Sequence, residues 1–227
     1  MNKLKTMLCA VFTLLLVNIT SAQADSGNFA GPYVGVTASG YGMQLSGSSE
    51  TGGETTGATA IDKDEVDLGK VAPVVGFEIG YALPVGSAFL LDVNGTYFQG
   101  ESKMSFTNDD TDSSHDVGFT VDDLRTISIA PTLVLSDTSS LYIKVGLTEA
   151  DVGVSGDVTT PSDLSGTTWA MGTKTVLDSG IFIKTEAGYT DYNGISAHGK
   201  GTNVDADNAY SAEPTVAFGA VSLGFRF

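Results

Sequence analysis

From residue 31 onward, large apolar side chains return at every second position in one stretch after another. The last stretch is the plainest. Val221, Leu223, Phe225 and Phe227 hold one parity, while Ala220, Ser222, Gly224 and Arg226 hold the other. Side chains on a strand alternate faces, so such a segment is oily on one side and small or polar on the other. The same period-2 signal runs through Tyr33–Ser39, Val75–Tyr81, Phe89–Tyr97, Thr126–Leu135, Leu141–Thr148, Thr168–Leu177 and Ile181–Thr190. Together these predict eight strands.

The linkers sort by length. Leu83–Ser87, Ser136–Ser140 and Leu177–Gly180 are short and carry Pro, Gly, Asp and Ser, the residues of tight turns. Leu45–Leu68, Gly100–Thr120, Val154–Ser165 and Ser196–Pro214 are long and polar. Long and short alternate strictly, so an up-and-down meander puts every turn at one end and four mobile surface loops at the other. Short turns on the periplasmic side and long extracellular loops are the anatomy of outer-membrane barrels.

Parity alone does not say which face is inside. A soluble eight-stranded lipocalin-like barrel would bury the apolar face. The face bearing Lys and Glu at mid-strand is also rich in Gly, Thr and Ser, a composition suited to the narrow inside of an eight-stranded barrel. Aromatic residues fall on the apolar face near strand ends, at Tyr81, Phe89, Tyr97, Trp169, Tyr189 and Phe225. Rings at that depth form interfacial girdles. The expected fold is therefore all-β: an eight-stranded antiparallel up-and-down transmembrane β-barrel with its aliphatic face in lipid.

The first residues agree with export. Lys3 and Lys5 precede the apolar run Met7–Val17, and Ala22-Gln23-Ala24 is a small-x-small cleavage site. That order is a secretory signal peptide, too short in its apolar part to span a bilayer. Residues 1–24 are expected to be removed, leaving 25–227 as the barrel domain. The lone cysteine, Cys9, leaves with the signal, so no disulfide is expected. The chain carries 27 Asp and Glu against 11 Lys and Arg, a net charge of −16. Such a surface repels nucleic-acid phosphates, so no nucleic-acid partner is expected.

At this point the chain resembles the small eight-stranded outer-membrane proteins of Gram-negative bacteria, of the outer membrane protein A and X type and the opacity-like porin family. "GPYVGVTASG" is similar to their first strand, "SLYIKVGL" to a central strand, and "VSLGFRF" to their C-terminal assembly signature. The resemblance implies that Val221, Leu223, Phe225 and Phe227 are read by the barrel-insertion machinery. It implies residence in the bacterial outer membrane, among lipid and lipopolysaccharide. With no segment after Phe227, the peptidoglycan-binding domain seen in some relatives is expected to be absent.

Seven charges fall on the inward parity: Glu78, Asp92, Lys144, Lys174, Lys184, Glu186 and Arg226. A turn centred near Val85 places Glu78 opposite Asp92, and the turn near Asp178 places Lys174 opposite Lys184. Like pairs repel as neighbours. In an eight-stranded ring the acids face the lysines across the lumen, and a cross-barrel ion-pair network plugging the interior is the expectation. Two histidines exist: His115 in "SSHD" and His198 in "GISAHGKG". Neither stands in a recognisable nucleophile set, so no catalytic residues and no cofactor are expected. The acidic segments "IDKDEVD" and "NDDTDSSHD" lack the EF-hand spacing, and no metal site is assigned to them. The expected role is non-enzymatic: envelope integrity or surface interaction, with an extracellular ligand met by the loops. The alternatives are a narrow channel for ions or small solutes, and an enzyme at the rim acting on lipid A.

Overall fold

The computed structural model describes residues 25–51, 62–100, 102–110, 113–156, 158–200 and 209–227. The proposed signal peptide lies outside the described residues. Among the described residues no helix is long and apolar enough to cross a membrane; the crossing is made by strands.

A single 3₁₀ turn, Ser26–Phe29, precedes ten strands. They are β1 (Gly31–Thr51), β2 (Asp62–Pro84), β3 (Phe89–Gln99), β4 (Ser102–Asp110), β5 (Ser113–Val134), β6 (Ser139–Ser155), β7 (Leu164–Val176), β8 (Ile181–Tyr192), β9 (Ile195–His198) and β10 (Ala209–Arg226). Eight of them close a barrel in the order β1-β2-β3-β5-β6-β7-β8-β10, and β10 pairs back onto β1. β4 pairs only with β5, and β9 joins the edge of β10 beyond the barrel proper.

The register fixes the tilt. From Tyr33 the pairing passes through Gly80, Asn94, Ser128, Gly146, Thr168, Thr190 and Val216 and returns to Met43, ten residues along β1. A ten-residue stagger over eight strands inclines them by about 40° and leaves a core that side chains fill. The stagger is even, so every residue on this circuit faces the same way.

The faces are inside-out relative to a soluble protein. Ile79 is 67% exposed on the outer wall, while its neighbour Glu78 is 5% exposed. Val36, Phe77, Ile127, Leu147, Met171, Ile183 and Leu223 also line the outer wall, and Thr37, Asn94, Ser128, Thr148 and Lys184 are buried within. An apolar outer face with a polar interior is the arrangement of a barrel in lipid, and closure leaves no strand edge unpaired against hydrocarbon.

At the turn end the three short connections close alike: Val85 donates to Phe89 O at 2.9 Å, Leu135 to Ser139 O at 2.9 Å, and Leu177 to Ile181 O at 2.8 Å. Gly180 needs its lack of a side chain. Its φ is +81°, and a Cβ there would stand 2.9 Å from the Arg226 carbonyl.

The long loops are corrected. Leu45↔Leu68 through Thr51↔Asp62 is continuous antiparallel ladder, so the first loop is largely a protruding hairpin. β4 and the upper part of β5 make a second hairpin within Gly100–Thr120, and β9 with the upper part of β10 fills much of Ser196–Pro214. Among the described residues, Val154–Ser165 is mainly loop. Outside the bilayer a strand has no need of one oily face, so its polar sequence carries no alternation to read.

Candidate functional site in the barrel lumen

The lumen is filled in layers from the turn end upward. The 3₁₀ turn places Phe29 in the mouth, where it packs with Tyr33, Ala82, Leu90, Val134, Val176 and Phe182. Asp25 caps the turn by accepting from Gly27 N at 2.9 Å. Ser26 Oγ donates to Gly86 O at 2.7 Å, and Arg226 Nη1 donates to Gly27 O at 3.2 Å and Ala30 O at 3.0 Å. Phe29 is thus a stopper tied to the first turn and to the last strand.

Above it sits a phenol and carboxylate layer. Tyr33 donates to Asp92 Oδ1 at 2.7 Å. Asn94 spans from Asp92 to Ser128, which donates to Asn94 Oδ1 at 2.6 Å. Lys174 Nζ lies over the Tyr33 ring at 4.1 Å and over Phe182 at 4.5 Å, and has no hydrogen-bond partner. A cation over aromatic faces is held by their quadrupoles.

The next layer holds the ion pairs. Lys184 Nζ donates to Glu78 Oε2 at 2.7 Å, across the lumen from β8 to β2. Lys144 pairs with Glu186 Oε1, whose other oxygen accepts from Tyr142 OH at 2.9 Å. The side chains of all four ions are at most 8% exposed. Higher still, Thr126, Thr148, Thr168 and Thr190 form a hydroxyl belt with links of 2.8, 2.5 and 2.7 Å. A second apolar cluster, built on Ala150, Val152, Leu164, Tyr192 and Val216, closes the hairpin end. Two spaces inside measure about 20 and 10 Å³, no more than a water molecule each.

Two sequence expectations need correction. Glu78 is opposite Thr96, and Asp92 is opposite Ala82. The hairpin is centred two residues later than Val85, and a shift of the centre by two moves the partner by four. Lys174 does face Lys184. Arg226 stands apart from the other charges: its guanidinium turns to the carbonyls of Gly27 and Ala30 rather than to an acid.

On the outer wall the aromatic residues fall at two heights. Tyr81, Phe89, Phe225 and Phe227 lie near the turns; Tyr97, Trp169 and Tyr189 lie higher, with Trp169 directly opposite Tyr189. The eight residue steps from Phe89 to Tyr97 rise about 20 Å at this tilt, close to the height of a barrel's apolar band. Val221, Leu223, Phe225 and Phe227 are all exposed there. Phe225 and Phe227 meet edge to face at 5.2 Å, and Phe227 N donates to Pro32 O at 3.0 Å.

Sequence reasoning missed the phenols and one rim cluster. Tyr33 and Tyr142 share parity with the inward charges, and that parity was the available signal. At the upper rim a bulge between Asp122 and Arg125 puts Asp123 at φ +48°. Tyr97 OH donates to Asp123, and Arg125 meets Glu149 at 3.1 Å and Asp151 at 3.5 Å. The broken alternation of "VDDLR" marks the spot. His198 lies exposed on β9 with its amide bonded to Thr159 Oγ1, and His115 lies on β5 opposite Asn108. Among the described residues no three His, Cys, Asp or Glu side chains converge as a metal site.

A family model described as outer membrane protein beta-barrel domain matches residues 10–218. No curated protein sequence matches the chain. Among solved structures, OprG of Pseudomonas aeruginosa is similar at 12% identity and TM-score 0.50, over 91% of this chain and 100% of that one. The outer-membrane protease OmpT of Escherichia coli is similar at 10% identity and TM-score 0.50, over 92% and 99%. Ail of Yersinia pestis, solved with the heparin analogue sucrose octasulfate, is similar at 13% identity and TM-score 0.43, over 85% and 99%. At these identities the likeness is one of fold.

Proposed function

Because the chain belongs to the outer membrane protein β-barrel family, and so to the bacterial outer membrane, we propose that it is a sealed, non-enzymatic wall protein. Its acidic hairpins would act outside the cell, in envelope integrity or contact with other surfaces. The observation that carries this is the filled lumen. Three inward acids, Glu78, Asp92 and Glu186, balance three inward lysines, Lys144, Lys174 and Lys184, with apolar clusters closing both ends. Buried charges are tolerated when paired and hydrogen-bonded. Removal of residues 1–24 and reading of Val221, Leu223, Phe225 and Phe227 by the insertion machinery belong to the same proposal. So does bridging of hairpin carboxylates to lipopolysaccharide phosphates by divalent ions.

A second reading rests on Lys174 Nζ and Glu78 Oε1, both buried without a hydrogen-bond partner. Two polar atoms without hydrogen bonds beside established pairs would let partners exchange and open a narrow ion path. Planar bilayers decide between the readings. The sealed protein is expected to give no steps above baseline with potassium chloride on both sides. Reproducible steps that vanish in a Lys174→Met variant would replace sealing with gated conduction.

A further inference from the structure

The barrel closes its strand edges completely within the membrane but not above it. β9 is covered on its outer side: Val158 bridges to Gly199, and Thr159 N donates to His198 O at 2.7 Å. β2 is different. It pairs with β1 from Asp62 to Ala82, yet with β3 only from Val75↔Gln99 down to the turn. At Gly100, whose φ is +153°, the chain leaves that ladder, and β4 then follows β5 alone. Among the described residues, 62–74 of β2 therefore has no strand beside it on the β3 side, and β4 is a second open edge next along the chain.

The direction of the free groups can be derived. Val85 donates to Phe89 O, and the β2–β3 register is unbroken upward from there. In an antiparallel ladder a residue's N–H and C=O point to the same side, alternating along the strand. Odd-numbered residues of β2 thus aim at the β3 side. The β1–β2 register is also unbroken, so the rule holds up to Lys63. Glu65, Asp67, Gly69 and Val71 present N–H and C=O to the open side, and Pro73 presents a carbonyl. Proline in a strand belongs where its missing donor faces away from the ladder, as here.

We propose that this edge takes an extended cationic polypeptide as an added strand. The inference rests on the surface-contact reading and names its partner. An open edge is a template for backbone pairing. Charge selects the occupant: residues 62–70 carry four acids against two lysines, in a chain of net charge −16. A second copy would bring the same acids to the same edge, whereas lysines and arginines alternating along a guest strand meet opposite charge.

The test uses the full protein in nanodiscs and short fluorescent peptides: alternating Lys-Val, alternating Glu-Val, and the Lys-Val peptide N-methylated at every second amide. Lys-Val is expected to bind, to weaken with salt, and to bind roughly tenfold less well to a Gly69→Pro/Val71→Pro variant, which loses two outward donors without a change of charge. The N-methylated and Glu-Val peptides are expected not to bind. Equal binding of the N-methylated peptide, or undiminished binding to the proline variant, would reduce the effect to charge and overturn strand addition while leaving surface contact intact. Self-association through this edge in place of peptide binding would overturn it too. If no peptide binds and trimming both hairpins changes no surface contact, both proposals fall.

Discussion

A Lys184→Met barrel is expected to lose about 3–5 kcal/mol of stability, because it strands one member of a buried ion pair. Glu78 has little to fall back on. Its Oε2 accepts from Lys184, and its Oε1 has no hydrogen-bond partner. The carboxylate is also wedged against β1, where a Cβ on Gly35 would stand 2.9 Å from Oε1. It cannot swing away to water. Urea titration in detergent micelles reads the loss through Trp169, the single tryptophan, which lies on the outer wall away from the change. Adding Glu78→Gln to Lys184→Met removes the stranded charge and should recover part of the loss. A double-mutant cycle with no coupling between the two positions, or an unchanged midpoint for Lys184→Met, would mean that the pair does not hold the barrel.

What the sequence discloses and what it hides divide along physical lines. The sidedness of each crossing segment was legible, because lipid on one side and a crowded lumen on the other impose a strict two-fold rule. Phe77, Glu78 and Ile79 follow it residue by residue. Which inward residues meet was not legible, because that depends on turn centres and stagger rather than parity. Asp92 was expected beside Glu78 and instead accepts from Tyr33. Contact between Lys184 and Glu78 comes from the ten-residue stagger, a property of the closed ring that no single strand records. Arg226 obeyed parity but lies at the rim, where the carbonyls of Gly27 and Ala30 are nearer than any acid of the network. The hairpins were hidden for the opposite reason. Beyond the membrane a strand has no need of one oily face, so the sequence of β4 has no pattern to show.

The same two-sided rule predicts a depth profile. Ile129 lies on the outer wall between Val93 of β3 and Val145 of β6. It is five residues above Val134, where β5 reaches its turn, which puts it about 12 Å up, near the middle of an apolar band ~25 Å tall. Ile129→Arg should therefore cost about 2–4 kcal/mol, while Leu135→Arg at the turn end should cost about 0–1 kcal/mol, since a guanidinium there reaches the interface. The comparison is made by urea unfolding and refolding in the same lipid vesicles, so both variants share one reference. If water rather than lipid wetted this outer wall, arginine would cost little at either position, because both side chains are about half exposed there. Equal effects at Ile129 and Leu135 would therefore remove lipid from the outer face, and with it the reason Glu78 and Lys184 are inside.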